Sequence, residues 1–374
     1  MRKSLMAENL EEILKRIEGD ADLIQGLLAE LCAHIKEPLT LMEVCGTHTH
    51  AISKTGIRRA LAGKVRLLSG PGCPVCVTAD ADIDRFIALS RMPDVAVTTF
   101  GDMLHVPGSE SSLAEQRDAG RDIRIVYSPL DALAMAEKEP QKEFVFLGVG
   151  FETTAPAILA TVAEAKRRGI NNFSIYAAFR LIPPALRMIA AHPDLAIEGL
   201  ILPGHVSAVI GSEPYRFLAD EFKRPCVITG FEGADILQAI LMIADQIKEG
   251  EPSLEIQYKR VVTKEGNKAA LKIMEGMCDV KDSMWRGLGT IPESELKLKE
   301  AWKDFDAEHK LSLPPMEYKE TADAKGCRCG DVLLGKIIPP DCPLFAEACT
   351  TSNPIGPCMV SSEGACSAYY KYER

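Results

Sequence analysis

Between residues 39 and 229, short apolar runs alternate with helical stretches eight times. The runs are 39–44, 65–69, 95–99, 123–127, 144–149, 173–177, 199–202 and 226–229. Strand–helix alternation at this interval predicts an α/β fold, with parallel sheets covered by helices on both faces. The runs form two sets of four, the second following the first by roughly 102–108 residues at each step. Residues 100–109 (FGDMLHVPGS) align without gaps to 203–212 (PGHVSAVIGS), sharing two glycines, a valine and a serine. The expectation is two similar parallel-sheet α/β domains facing a cleft, with generic α/β repetition as the alternative. The first would occupy 1–140 together with N-terminal helices, read from the apolar spacing over 5–36, and the second 141–250. Residues 251–374 would hold helices at 264–278 and 293–309, a PPMEY linker and a small cysteine-rich domain.

Six of the twelve cysteines lie in the last 48 residues: Cys327, Cys329, Cys342, Cys349, Cys358 and Cys366. Pro339, Pro340, Pro343, Pro354 and Pro357 interrupt the same stretch, so it forms neither one regular helix nor a central strand. Four thiolates around a [4Fe–4S] cluster or a zinc ion would hold such a lobe together. Cys329-x12-Cys342-x6-Cys349-x16-Cys366 contains no C-x-x-C pair, which disfavours a zinc ribbon and favours the cluster. Cys327 is the alternative first ligand, and Cys358 is expected to be a packing thiol.

A net charge of −10 argues against a general nucleic-acid binder. No apolar run reaches the roughly 18 residues of a membrane span, and the N-terminus lacks a secretory core. The expected location is the cytoplasm, where clustered cysteines point to metal or redox chemistry rather than structural disulfides.

Four motifs fall at strand ends, where open α/β sheets bind ligands. In LMEVCGTHTHAI, Cys45 with His48 and His50 offers metal ligands or an activated thiol, the alternative being a buried turn cysteine with two surface histidines. In LLSGPGCPVCVT, Cys73 and Cys76 form a C-x-x-C at a helix start, read as a dithiol/disulfide pair. GVGFETTAPAI has glycines with Thr153 and Thr154 that could cradle an anion or cap the next helix, and Glu152 as a functional candidate or a helix-start cap, while LPGHVSAVIG carries His205, a ligand or acid/base candidate. The former is no phosphate-binding loop, since no Gly-Lys-Ser/Thr follows.

Taken together, MEVCGTHTH, GPGCPVCVT, GFETTAPA, LPGHVSAVIG and the terminal CPLF…C…GPCMVSSEGAC…YY resemble the HypD family of [NiFe]-hydrogenase maturation factors. The resemblance runs from about residue 40 to the C-terminus. It implies two similar α/β domains plus a [4Fe–4S] domain, and a role in building the Fe(CN)2CO group of the hydrogenase active site. It implies work alongside a small HypC-type chaperone that shares the iron, and a HypE-type cyanide donor carrying a thiocyanate made from carbamoyl phosphate. By motif match, Cys45 would bind the iron of the transient Fe(CN)2CO unit, and Cys73 and Cys76 would be the redox pair. The expected role is a redox-active assembly scaffold rather than a simple turnover enzyme. A free-standing thiol–disulfide oxidoreductase and a zinc-stapled binding protein are the competing readings.

Overall fold

A computed structural model describes residues 21–193, 195–313 and 326–374. The PPMEY linker lies outside them, and of the helix expected over 5–36 the described part is Ala21–His34. Eleven strands make two sheets among the described residues. They are β1 (Leu39–Glu43), β2 (Val65–Ser69), β3 (Val95–Thr99), β4 (Ile123–Ile125), β5 (Glu143–Gly150) and β6 (Phe173–Arg180). Then follow β7 (Gly199–Pro203), β8 (Cys226–Thr229), β9 (Leu254–Ile256), β10 (Cys278–Trp285) and β11 (Gly289–Leu298). The first sheet has the order β2-β1-β7-β8-β9 and is parallel throughout. The second has the order β10-β11-β6-β5-β3-β4, parallel except for β11, which pairs antiparallel with both β10 and β6.

The α/β class is as expected, but the sheets do not divide the chain at residue 140. Each sheet takes two strands from one half and two from the other. The shift by four strands nonetheless survives: it turns β2-β1-β7-β8 into β6-β5-β3-β4, an order present in the second sheet. The repeat is therefore expressed as two sheets that exchange halves. Strand spacing reveals the repeat but not which sheet a strand joins, because pairing is fixed by long-range packing. Nor is 251–374 a separate unit. Strand β9 completes the first sheet, and the hairpin extends the second. Residues 293–298, expected to be helical, belong to β11, where Leu296 and Glu295 pair with Phe179 and Arg180 of β6. Pairing to two neighbouring strands overrides the helical propensity of a Glu/Leu/Lys run.

The direction in which successive strands are added reverses between β1 and β7 in the first sheet and between β5 and β3 in the second. The crevices outside the carboxyl ends of those strands are the natural ligand sites. β5 and β6 are buried almost along their whole length, as expected for central parallel strands covered on both faces.

A buried ion network locks the second sheet. Arg180 Nη2 donates to Asp82 Oδ2 at 2.5 Å, Nη1 pairs with Glu295, and Tyr176 Oη donates to Asp82 Oδ1 at 2.9 Å. Removing the guanidinium would strand two buried carboxylates. Arg180→Ala is expected to cost about 3–5 kcal/mol, read as a lower urea midpoint. An unchanged midpoint would show that the network contributes nothing.

Candidate functional site

Strand β1 ends at Glu43, and Val44 leads to Cys45, which precedes the helix Gly46–Thr55. Strand β2 ends at Ser69 and delivers Gly70-Pro71-Gly72 against it. A Cβ on Gly72 would meet the Cys45 backbone nitrogen at 2.3 Å, so only glycine fits that approach. Gly46 N donates to Gly72 O at 2.9 Å, and Gly70 N donates to Glu43 O at 2.7 Å. These contacts bring the first two cysteine motifs together at the switch point of the first sheet.

Cys45 is buried, and burial pushes its thiol up to about 12. The backbone N–H groups of His48 and Thr47, at the start of its helix, pull the other way, while the Glu363 and Glu43 carboxylates add to the rise. Glu43 is itself fully buried and holds the turn: it accepts from Cys45 N at 3.1 Å and from Thr49 Oγ1 at 2.5 Å. Burial raises its carboxyl above the usual range.

His48 is also fully buried. Its Nε2 donates to Gly230 O at 2.8 Å, so Nδ1 carries the lone pair, and that atom has no partner. Burial lowers the imidazole to about 4, which keeps it neutral. His205, at the end of β7, is exposed at the rim. Phe231 lies between the two histidines, with ring centroids 4.7 Å from His48 and 3.8 Å from His205. The C-terminal segment closes the same mouth: Thr47 Oγ1 donates to Glu363 Oε1 at 2.8 Å, and the Glu363 charge bears on His205. The terminal helix Ala365–Tyr372 packs on helix Gly46–Thr55, and Ser53 Oγ donates to Glu373 at 2.5 Å.

Cys73 precedes a single turn, Pro74–Val77, and its sulfur accepts from Cys76 N at 3.3 Å. Cys76 is fully buried, and burial, followed by contacts with Cys358 and Cys73, raises its thiol well above the usual range. The neighbouring Cys329 and Cys76 in turn hold Cys358 below the ordinary thiol range. Cys329 also touches Cys327. A row of sulfurs thus runs Cys73, Cys76, Cys358, Cys329, Cys327, from the first sheet into the tail. The buried Arg286 flanks it, pairing with Asp80 and donating to Pro107 O at 3.1 Å. Burial lowers Arg286, and the opposing pull comes from Cys329, Cys358, Cys327 and Cys76.

All six tail cysteines line one pocket. Ile355 N donates to Cys349 Sγ at 3.3 Å, and Gly356 packs on the Cys327 sulfur. Burial raises Cys366 well above the thiol range, followed by the charges of Cys327, Cys329, Cys349 and Cys342 in that order. Among the described residues no three or more His, Cys, Asp or Glu side chains converge on a point that would hold a single metal ion. A cubane cluster spreads its four thiolates over separate corners, so its ligands do not need to converge in that way. An apolar pocket ringed by six cysteines, with an N–H aimed at one sulfur, has the donor chemistry for it. Cys358, expected to be a packing thiol, is buried in the core, where it lines this pocket and neighbours Cys76 of the C-x-x-C pair.

Glu152 lies at the carboxyl end of β5 at the second sheet's switch point, and its charge and that of Cys45 both bear on the buried Tyr215. Sequence reasoning gave no role to Glu363, Phe231, Arg286 or Glu43. Glu363 lies inside a terminal motif and Phe231 just past a strand end, so position hinted at both. Nothing local marks Arg286.

The HypD family profile, described as "Hydrogenase formation hypA family", matches residues 22–373. The chain is 41% identical over 362 residues to "Hydrogenase maturation factor HypD" of Rhodobacter capsulatus, covering 94% of this chain and 96% of the relative. It is 46% identical over 341 residues to "Hydrogenase expression/formation protein HupD" of Azotobacter chroococcum mcd 1, covering 89% of each. With "Hydrogenase maturation factor HypD" of Escherichia coli (strain K12) it shares 42% over 352 residues, 93% of this chain and 94% of the other. No helix among the described residues is long and apolar enough to cross a membrane.

Proposed function

Because the chain belongs to the HypD family of hydrogenase maturation factors, we propose that it is the iron–sulfur scaffold on which the Fe(CN)2CO group of [NiFe]-hydrogenase is assembled. The observation that carries this is the continuous row of sulfurs from Cys73 to Cys327, ending beside the pocket of six cysteines and starting beside Cys45. A free-standing oxidoreductase has no need of a third thiol beside its dithiol, set at a helix start among buried polar groups.

The iron unit is cargo. Cys45 supplies a soft thiolate, the donor type suited to iron carrying cyanide and carbon monoxide. Because burial raises its thiol to about 12, it is protonated at neutral pH, and iron capture releases that proton. The N–H groups of Thr47 and His48 then stabilise the sulfur's charge. The unpartnered His48 Nδ1 is an acceptor for a ligand proton, and Glu363 with His205 closes the mouth against water. A small HypC-type chaperone supplies a second thiolate to the iron, and a HypE-type protein delivers cyanide.

A resident [4Fe–4S] cluster would supply one-electron chemistry, held by Cys342, Cys349 and Cys366 with Cys327 or Cys329 as fourth ligand. Both line the pocket; the Cys327 sulfur lies at its wall against Gly356 and is taken as the fourth ligand. Cys73 and Cys76 store an electron pair: joining them breaks two S–H bonds, forms one S–S bond and releases two electrons and two protons. Arg286 stabilises negative charge along the row.

Infrared spectra of the protein co-purified with its small chaperone test the reading. Cyanide and carbonyl stretches are expected. Their absence from a complex that restores hydrogenase activity would remove the scaffold role. A second measurement addresses the dithiol. After mild anaerobic oxidation, alkylation and mass spectrometry are expected to find two fewer free thiols, with the bond mapped to Cys73–Cys76. If both stay alkylatable while other thiols oxidise, the pair has no redox role.

A further inference from the structure

We propose that the cavity at the carboxyl end of the second sheet binds a small organic cation, an alkylammonium whose N–H group pairs with Glu152 and whose carbon chain lies along the apolar walls. The cavity holds about 520 Å3, within the range of small-molecule sites. Its walls include Leu181, Pro183, Ile210, Met274 and Leu296.

Glu152 is 2% exposed and lines this space. Its Oε1 accepts from Ile182 N at 2.9 Å, whereas Oε2 has no partner. A buried acceptor left unpaired is costly, and an N–H donor entering the cavity would remove that cost. The sign of the ligand follows from the lining. The other charged side chains there are Glu275 and Asp279, both exposed at the mouth, and no Lys, Arg or His lines the cavity. Burial pushes the Glu152 carboxyl up to about 7, and an opposing positive charge would draw it back towards the ionised form.

The repeat supplies an independent argument. The shift by four strands that relates the sheets carries β1 onto β5. Glu152 therefore follows β5 as Cys45 and His48 follow β1, each at the switch point of its own sheet. The cavity shares no lining residue with the cysteine pocket. The inference goes beyond the proposed function and does not depend on it.

The test is calorimetric titration of the full reduced chain with n-butylammonium chloride, and with n-butanol as the uncharged comparison. Saturable binding of one butylammonium per chain is expected, with butanol at least about tenfold weaker. Glu152→Gln can still accept from Ile182 N–H but loses the charge, and it should weaken butylammonium at least about tenfold. Leu271→Trp, from a half-buried position on the helix Lys268–Met277, should fill the cavity and weaken it likewise. No saturable binding by the wild type, equal binding of butanol, or unchanged affinity in Glu152→Gln overturns the proposal. Should Glu152→Gln fail to fold, unchanged affinity in Leu271→Trp overturns it. Hydrogenase maturation is not read, so a failure here leaves the proposed function standing.

Discussion

Cys45→Ala is expected to abolish the cyanide and carbonyl bands of the chaperone complex and to stop hydrogenase maturation, while the fold and the tail chromophore persist. The fold should survive because the substitution removes only one sulfur, at a cost of about 1–2 kcal/mol of the kind seen for small core deletions. The turn itself is held by main-chain atoms and Glu43, through Gly46 N to Gly72 O and Cys45 N to Glu43 Oε2. The chromophore should survive because the six tail cysteines line a different pocket. What disappears is the one thiolate placed at a helix start beneath Glu363 and the two histidines. Wild-type band intensity in Cys45→Ala would shift the iron to Cys73 or Cys76. The proton count offers a further check. Since the free thiol sits near 12, iron capture at neutral pH should release one proton in the wild type and none at this position in the variant.

The sequence made the local chemistry plain because each motif lies on a strand end. Cys45, His48, Cys73, Cys76, Glu152 and His205 could be placed at sheet edges from the apolar run before each one. Their grouping was less accessible. Cys45, the C-x-x-C pair and His205 share one switch point, while Glu152 belongs to the other. That sorting depends on β1 pairing with β7, across 158 residues in the case of Leu41 and Gly199. Period and propensity carry no information about such a pairing. The same limit hid the exchange of halves between the sheets, although the four-strand shift was visible in the spacing. Cys358 shows a different limit. Its role depends on contact with Cys76, which no spacing within the tail reveals. Arg286 is legible only in three dimensions, because its hairpin joins the second sheet by antiparallel pairing that the sequence disguised as a helix.

The tail allows the other large effect to be argued down to single residues. Cys342→Ala and Cys349→Ala are each expected to remove the visible chromophore and most of the bound iron from anaerobic protein. Each should also loosen the segment from about 326 onward, because metal binding and folding are coupled in lobes of this kind. The segment is poor in regular structure: Cys329–Leu333, two short 3-10 turns and the terminal helix account for most of it. Faster proteolysis there, with the two sheets intact, would report the loosening. Because Glu363 from this segment accepts from Thr47 beside Cys45, the loosening should also open the mouth of the first site and raise the alkylation rate of Cys45. The neighbouring pair then divides the labour. Cys327→Ala should behave like Cys342→Ala, since the Cys327 sulfur lies at the pocket wall against Gly356. Cys329→Ala should keep the iron yet slow reduction of the Cys73–Cys76 bond, since it removes a link of the sulfur row beside Cys358. Iron lost from Cys329→Ala and kept in Cys327→Ala would assign the fourth ligand to Cys329 instead. Full iron retention in both Cys342→Ala and Cys349→Ala would sink the cluster itself.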